Sequence, residues 1–156
     1  MKESTVKDLI IEWLEARWRK SIVHNELGVD FLVFQWSPTI FPTWIMGLEQ
    51  IECKGTNSDV HRAIGQSLDY YFNSDCIPTY LAVPEDYKQL KILEQIMGFF
   101  SLPIGILLVD SQGKISVKRE AKGKTRCCKL LEKKKGTLTT LSAHPTLHYL
   151  GTLDDL

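Results

Sequence analysis

Short apolar runs that alternate with amphipathic stretches are the feature that most constrains the fold of this chain. The clearest runs are Val29–Phe34, Thr79–Val83 and Ile104–Val109. Apolar runs of this length are typical of β-strands, whereas the stretches between them repeat their apolar residues at helical spacing. Strands that alternate with helices predict an α/β fold, in which a mixed central β-sheet is flanked by helices.

Three stretches with helical periodicity predict helices at Val6–Trp18, Asp59–Asn73 and Glu85–Phe100. Ser4 or Thr5 can cap the first helix, because a hydroxyl at this position accepts from an otherwise unpaired backbone N–H. Glu85 and Asp86 are expected in the first turn of the third helix, where the helix dipole favours negative charge.

Two further strands complete the predicted sheet. Trp44–Cys53 is expected to form one strand or a pair of strands, after a loop marked by Pro38 and Pro42. A turn at Ser111–Lys114 then leads into the last strand, Ile115–Lys118. The length of 156 residues suits one domain.

The composition argues against a membrane protein and against a secreted, disulfide-bonded one. No apolar run reaches the roughly 18 residues that a transmembrane helix needs, and Met1–Lys20 carries charges throughout, unlike a signal peptide. The cysteines form neither a CxxC pair nor a disulfide framework, so we expect free thiols in a reducing compartment. They are Cys53, Cys76, Cys127 and Cys128. We therefore predict a cytoplasmic protein with no membrane partner.

Positive charge is concentrated near the end of the sequence, although 19 basic and 19 acidic residues give a formal net charge of zero. The basic segment contains Lys118, Arg119, Lys122, Lys124, Arg126, Lys129, Lys133, Lys134 and Lys135, against Glu120 and Glu132. Such a segment attracts a polyanion by neutralising phosphates and releasing their counterions. A solvated, partly disordered surface segment explains the same charge equally well.

Three triplets of the form Glu-x-Lys occur, at Glu52–Lys54, Glu120–Lys122 and Glu132–Lys134. The triplet alone is a weak signal, because a charge-rich chain produces it by chance. Only the first one ends an apolar strand, where side chains two residues apart share one face of the sheet. The other two lie in the basic segment, whose charge density explains them.

The position of Glu52 and Lys54 at a strand end suits phosphodiester hydrolysis. This reaction needs a metal to stabilise charge on the phosphate and an activated water in line with the leaving oxygen. Magnesium prefers one or two carboxylates together with waters, so Glu52 could offer one carboxylate and Asp30, near the previous strand, the second. Lys54 could hold or deprotonate the attacking water. Taken alone, Asp30 could equally be a strand-edge carboxylate.

The second predicted helix has one polar and one apolar face. The polar face carries Arg62, Gln66, Asp69 and Tyr70, and the apolar face carries Val60, Ile64, Leu68 and Tyr71. The apolar face is expected to pack on the sheet. Gln66 and Tyr70 are one turn apart, so their polar ends can point to one place. A merely solvated face remains the alternative.

Three segments together resemble the PD-(D/E)xK nuclease superfamily. They are Gly28-Val29-Asp30, Ile51-Glu52-Cys53-Lys54-Gly55 and Gln66-Ser67-Leu68-Asp69-Tyr70. The Gln-xxx-Tyr element is similar to that of RecB-type nuclease domains. The resemblance covers residues 5–117 and implies a restriction-endonuclease-like fold with an αβββαβ core. It also implies a nuclease core domain over residues 1–120, followed by the basic segment and tail over residues 121–156.

The resemblance also implies the role of each site residue. Asp30 and Glu52 would bind Mg2+ (or Mn2+), and the backbone carbonyl of Cys53 could join them. Lys54 would be catalytic.

Two further roles follow from the same resemblance. Gln66 and Tyr70 would orient Lys54 or a DNA phosphate. Family members often use a glutamate from the first helix as an additional metal ligand, and Glu12, Glu15 and Glu26 are the candidates, with Glu15 preferred.

The leading functional hypothesis is a metal-dependent nuclease that hydrolyses DNA phosphodiester bonds. The alternative is a catalytically inactive nuclease-fold module that binds nucleic acid or a protein partner. A third hypothesis places the chain in a larger nucleic-acid-processing complex or in a homodimer, because cutting both strands together needs two active sites.

Overall fold

The computed structural model describes residues 1–16, 20–24, 28–37, 44–74 and 76–123. Its elements are α1 (Glu3–Glu15), β1 (Lys20–His24), β2 (Phe31–Ser37), β3 (Trp44–Cys53), α2 (Val60–Asn73), β4 (Thr79–Pro84), α3 (Leu90–Phe99), β5 (Gly105–Val109) and β6 (Ile115–Arg119). The chain is therefore an α/β protein, as predicted. Glu26, Cys127, Cys128 and most of the basic segment lie outside the described residues.

The sheet contains six described strands that lie side by side in chain order, from β1 to β6. The strands β3, β4 and β5 are parallel, and the pairs at both edges are antiparallel. A parallel pair needs a crossover connection, and α2 and α3 provide the two crossovers. Both crossovers advance the sheet in the same direction, so the shared hand of such connections puts α2 and α3 on one face.

Hydrophobic side chains form a separate core on each face of the sheet. The face under α1 contains Val6, Ile10, Leu14, Phe31, Val33, Ile51, Cys53, Ala82, Leu107 and Val109. The face under α2 and α3 contains Val60, Ala63, Ile64, Leu81, Val83, Tyr87, Leu93, Met97, Ile104 and Ile106. Successive strand residues point to opposite faces, which explains why Leu81 and Ala82 belong to different cores. A sheet covered on both sides accounts for the nearly continuous apolar runs of its central strands.

The apolar face predicted for α2 is the face that packs on the sheet. Val60 and Ile64 are buried, and Leu68 and Tyr71 are partly buried against the same core. The helix begins after Asp59, whose carboxylate accepts a hydrogen bond from the Arg62 backbone N–H at 2.7 Å. This N-cap fixes the start of the helix that carries Gln66 and Tyr70.

The predicted start of the first helix was wrong. The helix α1 begins at Glu3 after Lys2, which makes no side-chain cap, so Ser4 and Thr5 lie inside the helix. Arg17 and Trp18, at the predicted end, lie outside the described residues.

The start of the third helix also differs from the prediction, because α3 begins only at Leu90 and Glu85 and Asp86 lie in the preceding turn. Tertiary hydrogen bonds hold this turn. The Glu85 N–H donates to the Val109 carbonyl at 2.9 Å, and the Tyr87 hydroxyl donates to the Ser58 carbonyl at 2.9 Å. Helical periodicity could not reveal these partners, which are distant in sequence.

The edge strand β1 was not predicted. Its sequence, Lys20–His24, is short and contains few apolar residues, so it carries no clear strand pattern. Its pairing with β2, from Lys20 opposite Gln35 to His24 opposite Phe31, defines it in the structure.

Gly55, directly after β3, allows the start of α1 to approach the sheet closely. A Cβ atom added to Gly55 would lie 2.8 Å from the backbone nitrogen of Glu3 and 3.2 Å from the carbonyl oxygen of Met1. Backbone atoms cannot yield as a flexible side chain can. The contact therefore requires glycine and holds the first turn of α1 beside Lys54.

We expect Gly55→Ala to lower the free energy of unfolding by about 1–3 kcal/mol, because the methyl group overpacks a backbone contact. Gly65→Ala is the matched control, since a Cβ on this exposed glycine of α2 meets no atom of the described residues within 4 Å. The control should raise stability by about 0.5–1 kcal/mol through its better helix propensity. Urea unfolding measures both values, and equal stability of the two variants would contradict the close contact.

Candidate active site

Asp30 and the end of β3 lie next to each other because β2 and β3 are antiparallel. The register pairs Phe31 with Ile51, so Asp30, one residue before β2, stands beside Glu52 and Cys53. The Cys53 backbone N–H donates to Asp30 Oδ2 at 2.8 Å. This hydrogen bond ties the start of β2 to the end of β3 and orients the Asp30 carboxylate.

Glu52 and Lys54 share one face of the sheet, as their spacing predicts, and form an ion pair. Lys54 Nζ donates to Glu52 Oε1 at 2.5 Å, and the two residues are only 9% and 4% exposed. The Lys54 backbone N–H donates to the Ala82 carbonyl at 2.9 Å, which continues the parallel pairing with β4. The strand therefore fixes the backbone of Lys54 as well as its side chain.

Lys7 of α1 is a site residue that the sequence analysis missed. Its Nζ lies 2.7 Å from Asp30 Oδ1 and 3.0 Å from Glu3 Oε1, one helical turn earlier. The helical spacing of the apolar residues Val6, Ile10 and Leu14 places Lys7 off the buried face of α1 and says nothing more about it. Its approach to Asp30 depends on how α1 packs on the sheet, which no local pattern specifies.

The helix α2 brings Tyr70 toward the carboxylates. A Cβ atom on Gly28, two residues before Asp30, would lie 3.5 Å from Cε1 of the Tyr70 ring. Burial raises the pKa of Tyr70, and the negative charges of Glu52 and Asp30 raise it further. The phenol therefore remains protonated at neutral pH and can donate a hydrogen bond.

Gln66, one turn before Tyr70, has a buried Oε1 atom with no hydrogen-bond partner within the described residues. An unsatisfied buried acceptor is costly, so its presence on the site-facing helix indicates a position for a donor or a cation. Arg62 and Asp69, predicted on the same polar face, are exposed.

The glutamate expected from the first helix does not join this cluster. Glu12 and Glu15 are exposed on α1. Glu15 lies eight residues beyond Lys7, which corresponds to about 12 Å along a helix. The resemblance to the superfamily implied a metal ligand near Glu12 or Glu15, whereas Lys7 of α1 contacts Asp30 and is itself paired with Glu3.

Cys53 contributes its backbone to the site and its side chain to the core. The side chain is fully buried under α1, and burial raises the pKa of its thiol well above the ordinary value. The thiol is therefore a core group that stays protonated. Its peptide unit lies beside Asp30 through the N–H bond described above.

Burial dominates the electrostatics of Glu52. Desolvation raises the pKa of Glu52, the hydrogen bond from Lys54 lowers it, and the negative charge of Asp30 raises it again. The net shift is upward from the ordinary value of 4.5. For Lys7, burial lowers the pKa, but the hydrogen bonds to Asp30 and Glu3 outweigh it and the pKa is raised.

The oxygen atoms of this site suit a hard divalent cation. Glu52 Oε2 is buried without a hydrogen-bond partner in the described part of the chain, as is Gln66 Oε1. Magnesium takes oxygen ligands and commonly uses one or two carboxylates together with waters. The described residues contain no cluster of three or more His, Cys, Asp or Glu side chains that could hold a metal.

No protein-family model matches the chain, and no curated protein or solved structure matches it either. Among the described residues, no helix has the length and apolar character needed to cross a membrane.

We expect Glu52→Gln to change the pH dependence of folding in metal-free buffer. Because the pKa of Glu52 is raised in the folded protein, the folded state binds more protons than the unfolded state at pH values above 4.5, and stability falls as the pH rises. The free energy of unfolding of the variant relative to the wild type should therefore increase upward from pH 4.5 and level off above the raised pKa.

Urea unfolding across this pH range provides the measurement. Glu12→Gln, which removes an exposed carboxylate from α1, controls for the loss of one acidic group. A difference between Glu52→Gln and the wild type that is the same at every pH would contradict a buried, ionisable Glu52.

Proposed function

We propose that the protein is a metal-dependent nuclease that hydrolyses DNA phosphodiester bonds, and that its sheet and helices form a restriction-endonuclease-like αβββαβ core. The observation that carries the proposal is the cluster at the end of β3. Asp30 accepts from the Cys53 N–H, and Lys54 donates to one oxygen of the buried Glu52. The other Glu52 oxygen has no hydrogen-bond partner within the part of the chain that the structure describes. The first six elements follow the same order of helix, three strands, helix and strand.

Asp30 and Glu52 would hold the Mg2+ or Mn2+ ion, and the Cys53 carbonyl could add a third oxygen. When bound, such an ion supplies a Lewis acid for the phosphate and lowers the pKa of a bound water. The burial of Glu52 excludes bulk water from its side of the site, which strengthens every electrostatic interaction there.

Lys54 would position groups and stabilise charge in this arrangement. Its Nζ is the donor of a hydrogen bond to Glu52 Oε1 at 2.5 Å. The remaining N–H groups can donate to the attacking water or to a non-bridging phosphate oxygen. This geometry supports a role in positioning and charge stabilisation over a role as general base.

Tyr70 and Gln66 can contribute neutral donors from α2. The raised pKa of Tyr70 keeps its hydroxyl protonated at neutral pH, and the Gln66 amide carries two N–H donors. Neutral donors can hold a phosphate together with Lys54 without adding charge of their own.

The basic segment would supply sequence-independent affinity for DNA. Its first residues already serve the fold, because Lys118 pairs with Glu94 at 3.3 Å and Arg119 donates to the Leu102 carbonyl at 2.9 Å. The later residues, from Lys124 to Lys135, lie outside the described residues and are proposed as the phosphate-binding part. A homodimer or a larger complex would provide the second active site needed for a double-strand cut.

One observation favours the alternative of an inactive module that binds nucleic acid or a protein. Lys7 pairs with Asp30 and Lys54 pairs with Glu52, so each charged group has a partner without any metal. Glu52 Oε2 favours the enzyme instead, because the ion pair with Lys54 uses only the other oxygen and Oε2 has no hydrogen-bond partner in the described part of the chain.

We expect the wild type to cleave DNA in the presence of Mg2+ or Mn2+ and Lys54→Met to lose at least about a hundredfold in rate, since one preorganised donor commonly contributes this much. Methionine keeps the aliphatic length of the side chain and removes its charge. Lys91→Met, on the exposed surface of α3, is the matched control and should cleave as the wild type does. Gel assays on duplex, junction, flap and single-stranded DNA measure the rates.

If the wild type leaves all four substrates uncut with either metal, the nuclease proposal fails. DNA binding without cleavage would then support the inactive module.

We expect deletion of residues 124–135 to weaken DNA binding and to reduce its salt dependence. The segment carries six basic residues and one acidic residue, and each phosphate contact contributes about −0.9 to the slope of log affinity against log salt. Deletion of residues 138–149, of equal length and without lysine or arginine, is the control. Fluorescence anisotropy at several salt concentrations gives both slopes, and identical slopes would remove the segment from the DNA interface.

A further inference from the structure

The two carboxylates of the candidate site are unequally available to a cation. Both oxygens of Asp30 have donors, because Lys7 Nζ lies 2.7 Å from Oδ1 and the Cys53 N–H lies 2.8 Å from Oδ2. Glu52 has one oxygen paired with Lys54, whereas the other is buried and has no hydrogen-bond partner among the described residues. A cation can therefore meet Glu52 directly, but at Asp30 it has to share or replace a hydrogen-bond donor.

Of the two donors to Asp30, Lys7 is the one that a cation can displace. The Cys53 N–H belongs to a peptide in β3 and cannot move without breaking the sheet. The Lys7 side chain is 33% exposed and extends from a flexible stem, and Glu3 offers it a second carboxylate at 3.0 Å. An ammonium with an alternative partner on its own helix can release Asp30 and remain paired.

The positive charge of Lys7 affects the net charge that the site presents to a cation. Glu3, Asp30 and Glu52 carry three negative charges, and Lys7 and Lys54 carry two positive ones. With Lys7 on Asp30, the site presents one net negative charge to a divalent cation. Without Lys7 it would present two. At the effective dielectric of a partly buried site, one unit charge a few ångströms away changes the affinity for a divalent cation by a factor of about ten or more.

We propose that Lys7 is an internal competitor for the divalent cation, occupying Asp30 in the metal-free protein and giving it up when the cation binds. This inference rests on the proposed function, because it concerns the same carboxylate pair. In this role, Lys7 of α1 sets the concentration of the divalent cation at which the site becomes occupied. Lys7 is a positioning residue: it acts through Asp30 and holds the carboxylate in place while no cation is present.

The test is a titration of the purified full chain with Mn2+ alone at fixed ionic strength, in which calorimetry measures the affinity for Mn2+. The informative variant is Lys7→Gln, which removes the charge but keeps an N–H donor for Asp30. We expect Lys7→Gln to bind Mn2+ at least about tenfold more tightly than the wild type, and Lys7→Arg to bind it within about threefold of the wild type. Lys91→Gln, an exposed lysine of α3, should show wild-type affinity.

A second readout does not depend on activity. Saturating Mn2+ should raise the melting temperature of Lys7→Gln more than that of the wild type, because tighter binding to the folded state gives a larger stabilisation. Without metal, Lys7→Gln should melt below the wild type, since Asp30 loses its charged partner. Lys7→Met, which also lacks the charge, serves in place of Lys7→Gln if that variant does not fold.

Mn2+ binding that is unchanged or weaker in Lys7→Gln and in Lys7→Met would overturn the inference and leave the nuclease proposal intact, provided that the wild type binds Mn2+ and cleaves DNA. If neither the wild type nor the folded variants bind Mn2+ at millimolar concentration, the metal-dependent function and the inference fail together.

Discussion

The hydrogen bonds of the Asp30 carboxylate are the interactions on which the candidate site depends. One oxygen accepts from the Cys53 backbone N–H at the end of β3, and the other accepts from Lys7 of α1. A mostly buried carboxylate without donors would be costly, so these contacts require β2, β3 and α1 to meet at one point. Gly55 permits the meeting, because only a residue without a side chain leaves room for the backbone of α1.

Side chains alternate along β3, so residues at the end of this strand point to opposite faces of the sheet and serve different roles. Cys53 points into the core under α1, whereas Glu52 and Lys54 point to the opposite face, toward α2. The same strand is therefore anchored by apolar contacts on one side and carries an ion pair on the other. On this face α2 carries a neutral, protonated Tyr70, whose pKa is raised by the charge of Glu52, and Gln66, whose Oε1 has no hydrogen-bond partner among the described residues.

The charges of the site are nearly balanced before any cation arrives. The hydrogen bond from Lys54 lowers the pKa of Glu52, and burial raises it. The effect of burial is the larger one, so the pKa of Glu52 is raised overall. Lys7 keeps a raised pKa because its two carboxylate partners outweigh its burial. In such a site each carboxylate has a lysine partner without any metal, and Glu52 Oε2 has no hydrogen-bond partner among the described residues. These two properties together motivate both the proposed function and the role inferred for Lys7.

The sequence by itself determined the features that depend on local spacing. These are the α/β class, the helix that follows β3, its apolar face, and the shared face of Glu52 and Lys54, because the period of a helix or a strand is fixed by backbone geometry. Only the tertiary structure decided that Lys7 rather than Glu15 approaches Asp30, that β1 joins the sheet, and that α3 begins at Leu90 rather than Glu85. Each of these outcomes depends on partners far away in the chain, such as the Val109 carbonyl for Glu85 and the first turn of α1 for Gly55. No local pattern encodes such contacts, since they arise only when the helices pack against the sheet.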